Sequence, residues 1–263
     1  MVVMYDNTSM GYLCEKKLNL KKHSFDEINK LMAMGISDIT STSRFHSENS
    51  ASLRKIAINL VEYQYHHFFL MTNSQLNSRY NTLNQKPSTL DIIKDLTCFE
   101  YTTCLFDLKH SKDKKKWLGL FCLAFFFRGN CCYSEIIDYY KQFTNSHLFY
   151  VAMPCHSSCY ISNAPPIGVA SCGTALSHNQ SIGRIFQLNT YNLRKSIAFL
   201  SYYTKEGISK EEIEDADRVI NEYRSTYDNY GGPQVFDRGD DWENTGKRLY
   251  TAKEEVAIQE KSF

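Results

Sequence analysis

Residues 125–140, FFFRGNCCYSEIIDYY, pass from an apolar run through Arg128-Gly129-Asn130 into two adjacent cysteines and a helix-like segment. A thiol in the first turn of a helix sits at the positive end of the helix dipole among unpaired backbone N–H groups, which favours thiolate and offers a place for an oxyanion. Gly129 suits a tight turn, Asn130 an N-cap and Cys131 the first helical position. A nucleophilic thiolate also needs a base and a group to orient that base. His147 opens an apolar segment, HLFYVAM, and Asn163 follows it. A helix over 131–143 would carry the chain roughly 18 Å from the thiol at 1.5 Å per residue, so the base is His147 only if the helix stops near Tyr139. His156 and His178 are the alternatives. The competing reading is plain packing, because free cysteine is among the most buried residue types.

Gly-Asn-Cys opening a helix, His leading a strand and Asn one strand later resemble the papain-like and transglutaminase-like cysteine hydrolases, a fold that many bacterial effector proteases and deamidases share. The resemblance implies Cys131 as nucleophile, His147 as base and Asn163 as the orienting amide. It covers about 40 residues and implies a protease-like or deamidase-like hydrolase, or an acyl-transfer enzyme, acting on a protein substrate. The C-terminal KEEVAIQEKSF is similar in composition to the Glu-rich translocation signals of effectors exported by intracellular bacteria, which implies delivery into a host cell.

Two other chemistries compete. Cys155-His156-Ser-Ser-Cys159, completed by Cys131, Cys132 or Cys172, has the ligand types and one of the spacings of a zinc site. A second well-spaced pair is missing, so neither a metal nor a cofactor is expected. A non-catalytic helical protein that docks a protein partner through residues 53–70 and 191–227 is the remaining alternative. His66-His67 is read inside a helix, where adjacent side chains diverge. Neither G-x-x-x-x-G-K-[ST] nor G-x-G-x-x-G occurs, which weakens P-loop and Rossmann readings.

The elements that would position these groups follow from periodicity and capping. Ser24 with Glu27 forms a capping box for a helix over 25–34, with Gly35 as its stop. Residues 37–50 read as a loop, and Leu53 to Phe68 trace one face of a longer helix. A helix near 89–97, an aromatic strand-like segment at 98–108 and a charged loop, KHSKDKKK, come next. A buried element at 117–127, the helix from 131, strands at 147–153, 159–162 and 183–188, and a helical hairpin ending near Tyr227 complete the pattern. Ser209 with Glu212 is a second capping box.

The expected fold is therefore α+β, a small central antiparallel sheet flanked by helices with a papain-like core. Residues 1–236 form one domain, and the charged stretch 237–263 reads as a polar tail. Over 263 residues, 30 Lys and Arg nearly cancel 29 Asp and Glu, so nothing in the net charge draws the chain to nucleic acid. The longest apolar run, residues 117–127, falls short of the ~20 residues of a membrane span. Nine cysteines without an export signal suggest reduced thiols in a cytoplasm.

Overall fold

The computed structural model describes residues 1–20, 22–45, 51–61, 66–74, 88–98, 101–104, 120–144, 157–183, 185–186 and 200–230. The chain divides into two compact units. The first comprises 1–105 and 115–179, the second 106–114 and 180–263. The tail 237–263, the strand expected at 147–153 and the loop KHSKDKKK lie outside the described residues.

The first unit is a mixed α/β layer built on one five-stranded sheet. β1 (Val2–Met4), β2 (Phe68–Ser74), β3 (Leu120–Gly129), β4 (Ser157–Ser162) and β5 (Ser171–Asn179) line up in the order β1-β2-β5-β3-β4. The two outer pairs, β1 with β2 and β3 with β4, are parallel, while β5 runs antiparallel to both its neighbours. The sheet is thus mixed, which corrects the expected antiparallel one. Parallel neighbours need crossover connections, and α6 (Tyr133–Thr144) lies on the one between β3 and β4.

β3 explains the unbroken apolar run LFCLAFFF. All ten of its residues are buried, because both sheet faces are covered, and a strand buried on both sides has no reason to alternate. On one face Cys122, Ala124 and Phe126 join Phe69, Met71, Tyr160 and Leu176 against Ile56 and Leu60 of α4 (Leu53–Leu60). On the other, α5 (Thr89–Leu96) approaches so closely that a Cβ at Gly173 would meet Leu96 Cδ1 at 2.9 Å and Ile92 Cγ2 at 3.0 Å.

Helix α2 (Phe25–Ile39) begins at the Ser24–Glu27 capping box as the sequence indicates, but runs past Gly35. Gly35 serves as a contact point, since a Cβ there would overlap Met71 Sδ and Cε and crowd Asn73 Oδ1. Helix α1 (Asn7–Lys16) packs beside α2 through Met10, Leu13, Ile28 and Leu31. The polar stretch after α2 is partly helical, as α3 (Ser41–Arg44).

The long helix expected from Leu53 to Phe68 ends at Leu60, and Phe68 starts β2. His66 and His67 therefore lie on the approach to a strand, outside any helix. In the second unit, residues 181–183 and 185–186 are helical where a strand over 183–188 was expected. Helices α7 (Leu200–Lys205) and α8 (Lys210–Tyr230) follow. The Ser209–Glu212 box caps α8 through reciprocal bonds of 2.8 and 3.1 Å, and Phe186 stacks on Tyr223 with ring centroids 5.5 Å apart. Among the described residues no helix is long and apolar enough to cross a membrane.

Candidate functional site

The end of β3 is where the sequence placed its chemistry. Gly129 leaves the strand at φ +87°, and a Cβ there would overlap the Ala170 carbonyl oxygen. Both facts call for glycine. Asn130 N–H then donates to that carbonyl at 3.2 Å, and Cys131 N–H donates to Gly129 O at 3.0 Å. Cys132 N–H donates to Thr89 Oγ1 of α5 at 2.8 Å, while Ile136 N–H donates to Cys132 O at 3.2 Å. That last bond is the first of helix α6, so Cys132 occupies the N-cap position expected for Asn130.

The two thiols consequently differ in the opposite sense to the expectation. Burial pushes the Cys131 thiol up to about 11, which holds it protonated at neutral pH. Its Sγ lies 3.7 Å from the Arg128 carbonyl oxygen, an acceptor that also favours the protonated form. Cys132 is exposed, and its thiol is shifted down by the Ser134 hydroxyl at 3.2 Å and by backbone N–H groups of the first helical turn. Cys159 is pushed to about 12 and Cys172 higher still, both mainly by burial.

Of the proposed partners of Cys131, the described residues include Asn163 and His178. Asn163 is exposed in the β4–β5 connection, while His147 and His156 lie outside the described residues. His178 pairs with Cys122 and Ser171 with Gly129, which puts His178 at the other end of β3. Seven residues at about 3.3 Å each separate Cys122 from Gly129, roughly 23 Å, so His178 cannot serve as base for Cys131. For the zinc reading, Cys155 and His156 are likewise outside the described residues. Among the described ones no cluster of three or more His, Cys, Asp or Glu side chains could hold a metal ion.

A buried polar cluster organises this end of the sheet instead. Arg128 and Asp38 are 3% and 0% exposed, and Arg128 Nη1 donates to Asp38 Oδ1 at 3.0 Å. Arg128 Nε donates to Ala164 O at 3.0 Å and Nη1 to Ser37 Oγ at 3.2 Å. Thr174 Oγ1 donates to Asp38 Oδ2 at 2.8 Å. Burial pushes the Asp38 carboxyl up from the ordinary range, opposed by the Thr174 and Arg128 donors.

Phe45 packs under both guanidinium groups, Arg44 at 4.8 Å and Arg128 at 5.3 Å from its ring centroid. The cluster ties α2, β3, β5 and the β4–β5 connection together. One signal for it was present in the sequence: an Arg directly after FFF must find a partner if that run is buried.

No family model matches the chain. Among curated proteins, it is 30% identical over 249 residues to the tubulin beta-1 chain of Geotrichum candidum, covering 91% of this chain and 53% of that one. It is 28% identical over 242 residues to the tubulin beta chain of Saccharomyces cerevisiae, covering 88% and 50%. It is also 28% identical over 235 residues to the tubulin beta chain of Candida albicans, covering 86% and 50%.

The chain spans about half the length of the curated relatives it matches. These similarities overturn the papain-like reading, because they extend over about nine-tenths of the chain where the cysteine motif covered about 40 residues. The hydrolase, the effector delivered to a host cell, the zinc-stabilised domain and the stand-alone helical docking protein all fall with it. What the chain is similar to, over most of its length, is the tubulin beta chain.

Proposed function

We propose that this chain is part of a tubulin-related, GTP-binding, polymerising cytoskeletal protein that works in the cytoplasm, and that its role is to bind other protein subunits of the polymer. The observation that carries this reading is the similarity to tubulin beta chains over 91% of the chain.

The described residues do not fit a nucleotide's phosphates. A phosphate cradle is typically a glycine-rich turn whose backbone N–H groups face the ligand. Here Gly11, Gly35, Gly129 and Gly173 face protein atoms, and Gly168 and Gly207 lie singly at positive φ. None of these six glycines forms such a cradle, and the proposal rests on subunit binding alone.

Co-sedimentation tests it. The purified chain, mixed with tubulin and GTP under polymerising conditions, is expected to enter the pellet in proportion to polymer and to stay in solution when polymerisation is prevented. A chain that stays in the supernatant at every polymer concentration refutes the proposal.

A further inference from the structure

Two guanidinium groups meet on one neutral oxygen in the first unit, where α2 gives way to α3. Arg128 Nη1 donates to Ser37 Oγ at 3.2 Å, and Arg44 Nη2 donates to the same oxygen at 2.8 Å. Both guanidiniums also lie against the Phe45 ring, at 5.3 and 4.8 Å from its centroid. Arg44 spends its other bonds on neutral acceptors, Nη2 on Ser37 O at 2.7 Å and Nε on Thr40 Oγ1 at 3.1 Å.

The charges at this point do not balance. Asp38 answers Arg128 at 3.0 Å. Asp38 is 0% exposed, and its remaining contacts go inward, to the Thr174 hydroxyl and the Cys172 thiol. Among the described residues no carboxylate pairs with Arg44. Two cations, each one hydrogen bond from the same oxygen, therefore face a single anion. Like charges this close repel, and a second anion relieves them.

Donors for that anion are left over on three side chains. Among the described residues Arg44 Nη1 and Arg128 Nη2 donate to nothing, although Arg128 is only 3% exposed. Ser37 Oγ accepts twice, which uses both its lone pairs, and among the described residues its proton has no acceptor. Arg44 is exposed, so the cluster is open to solvent on its side. The carbonyls of the last turn of α2 would repel an anion, but Ile36 O and Ser37 O are already covered by Thr40 and Arg44. Guanidinium donors bind the oxygens of phosphate and sulfate strongly, and donors on three side chains suit a tetrahedral anion better than a planar carboxylate.

We propose that Arg44, Ser37 and Arg128 form a binding site for a small inorganic oxyanion of the phosphate or sulfate class. The bound anion supplies the missing negative charge and fastens the end of α2 and α3 to the end of β3.

Calorimetric titration of the full chain with sodium phosphate, at constant ionic strength set by sodium chloride, tests the site. One saturable event is expected, with sulfate competing for it. Arg44→Gln and Ser37→Ala should each weaken binding by about tenfold or more, while Arg54→Gln, on the exposed side of α4, leaves it unchanged. A response that chloride reproduces, or that all three variants share equally, means an adventitious ion only and overturns the proposal. Wild-type affinity in a folded Arg44→Gln protein overturns it as well. Should the variants fail to fold, the thermal midpoint of the wild-type protein decides. A rise that saturates at millimolar phosphate supports the site, and one that only grows in proportion to salt, the general effect of excluded anions, refutes it.

Discussion

Replacing Arg128 by methionine keeps most of the side chain's length and removes its charge. Three hydrogen bonds go with it: to Asp38 at 3.0 Å, to Ser37 at 3.2 Å and to Ala164 at 3.0 Å. Ala164 is half-buried, so water can replace the guanidinium at its carbonyl. Asp38, 0% exposed, has no such recourse. It keeps the Thr174 hydroxyl at 2.8 Å and the weak Cys172 thiol donor at 3.7 Å. Removing one member of a buried ion pair costs about 3–5 kcal/mol, against a total stability on the order of 5–15 kcal/mol.

The charge can also be relieved by a proton. Burial already raises the Asp38 carboxyl, and losing Arg128 raises it further. A folded-state value above the unfolded one means the folded state binds the proton more tightly, so the penalty is full above the folded value and shrinks as pH falls through it. The deficit of Arg128→Met should thus be largest at alkaline pH and shrink as pH falls through the raised carboxyl value, by up to about 1.4 kcal/mol per pH unit.

Urea denaturation followed by far-UV circular dichroism at several pH values measures both effects. In a double-mutant cycle, Asp38→Leu with Arg128→Met should recover at least about 2 kcal/mol relative to the sum of the single changes, with a flat pH response. An Arg128→Met cost below about 1 kcal/mol, or strict additivity, would refute the claim that this pair holds α2 to the sheet.

Gly35→Ala should cost about 1–3 kcal/mol by forcing Met71 out of its place against α2, and a thermal denaturation midpoint equal to wild type would count against the close approach. With iodoacetamide on the native protein, peptide mapping should show Cys132 modified well before Cys131, Cys159 and Cys172, since of these four only Cys132 is both exposed and shifted towards thiolate. Equal rates would contradict that ordering. Ser209→Ala should cost about 1 kcal/mol of helix stability and speed amide exchange in the first turn of α8, where Glu212 loses its hydroxyl acceptor; unchanged exchange there would argue against the cap.

The features legible before the fold was known are those set by a few adjacent residues. Ser24 with Glu27 and Ser209 with Glu212 cap helices as read. Strand β4 appears at Ser157–Ser162, close to the expected 159–162. Strand β5 was invisible, because SCGTALSHN has no apolar alternation. It is buried along its whole length only by lying between β2 and β3. The Leu53–Phe68 reading failed for a related reason: Phe68, the first residue of β2, continued the helical period of α4 by coincidence.

The cysteine motif misled in the same way. A Gly-Asn-Cys turn looks alike whether its thiol meets a histidine or a carbonyl, and no residue within helical reach distinguishes the two. The relationship to tubulin beta chains lies in weak similarity spread over about 240 positions, which no short motif contains.

By itself the sequence determined the Ser24–Glu27 and Ser209–Glu212 caps and the fact that LFCLAFFF must be buried, since these depend on hydrogen bonds and burial patterns within one or two turns. Only the tertiary structure decided the strand order, the parallel outer pairs, which of two adjacent thiols faces water, and the joining of Arg128 to Asp38, 90 positions away. These contacts depend on chain separations over which local preferences carry no information, and they form only when the whole sheet closes.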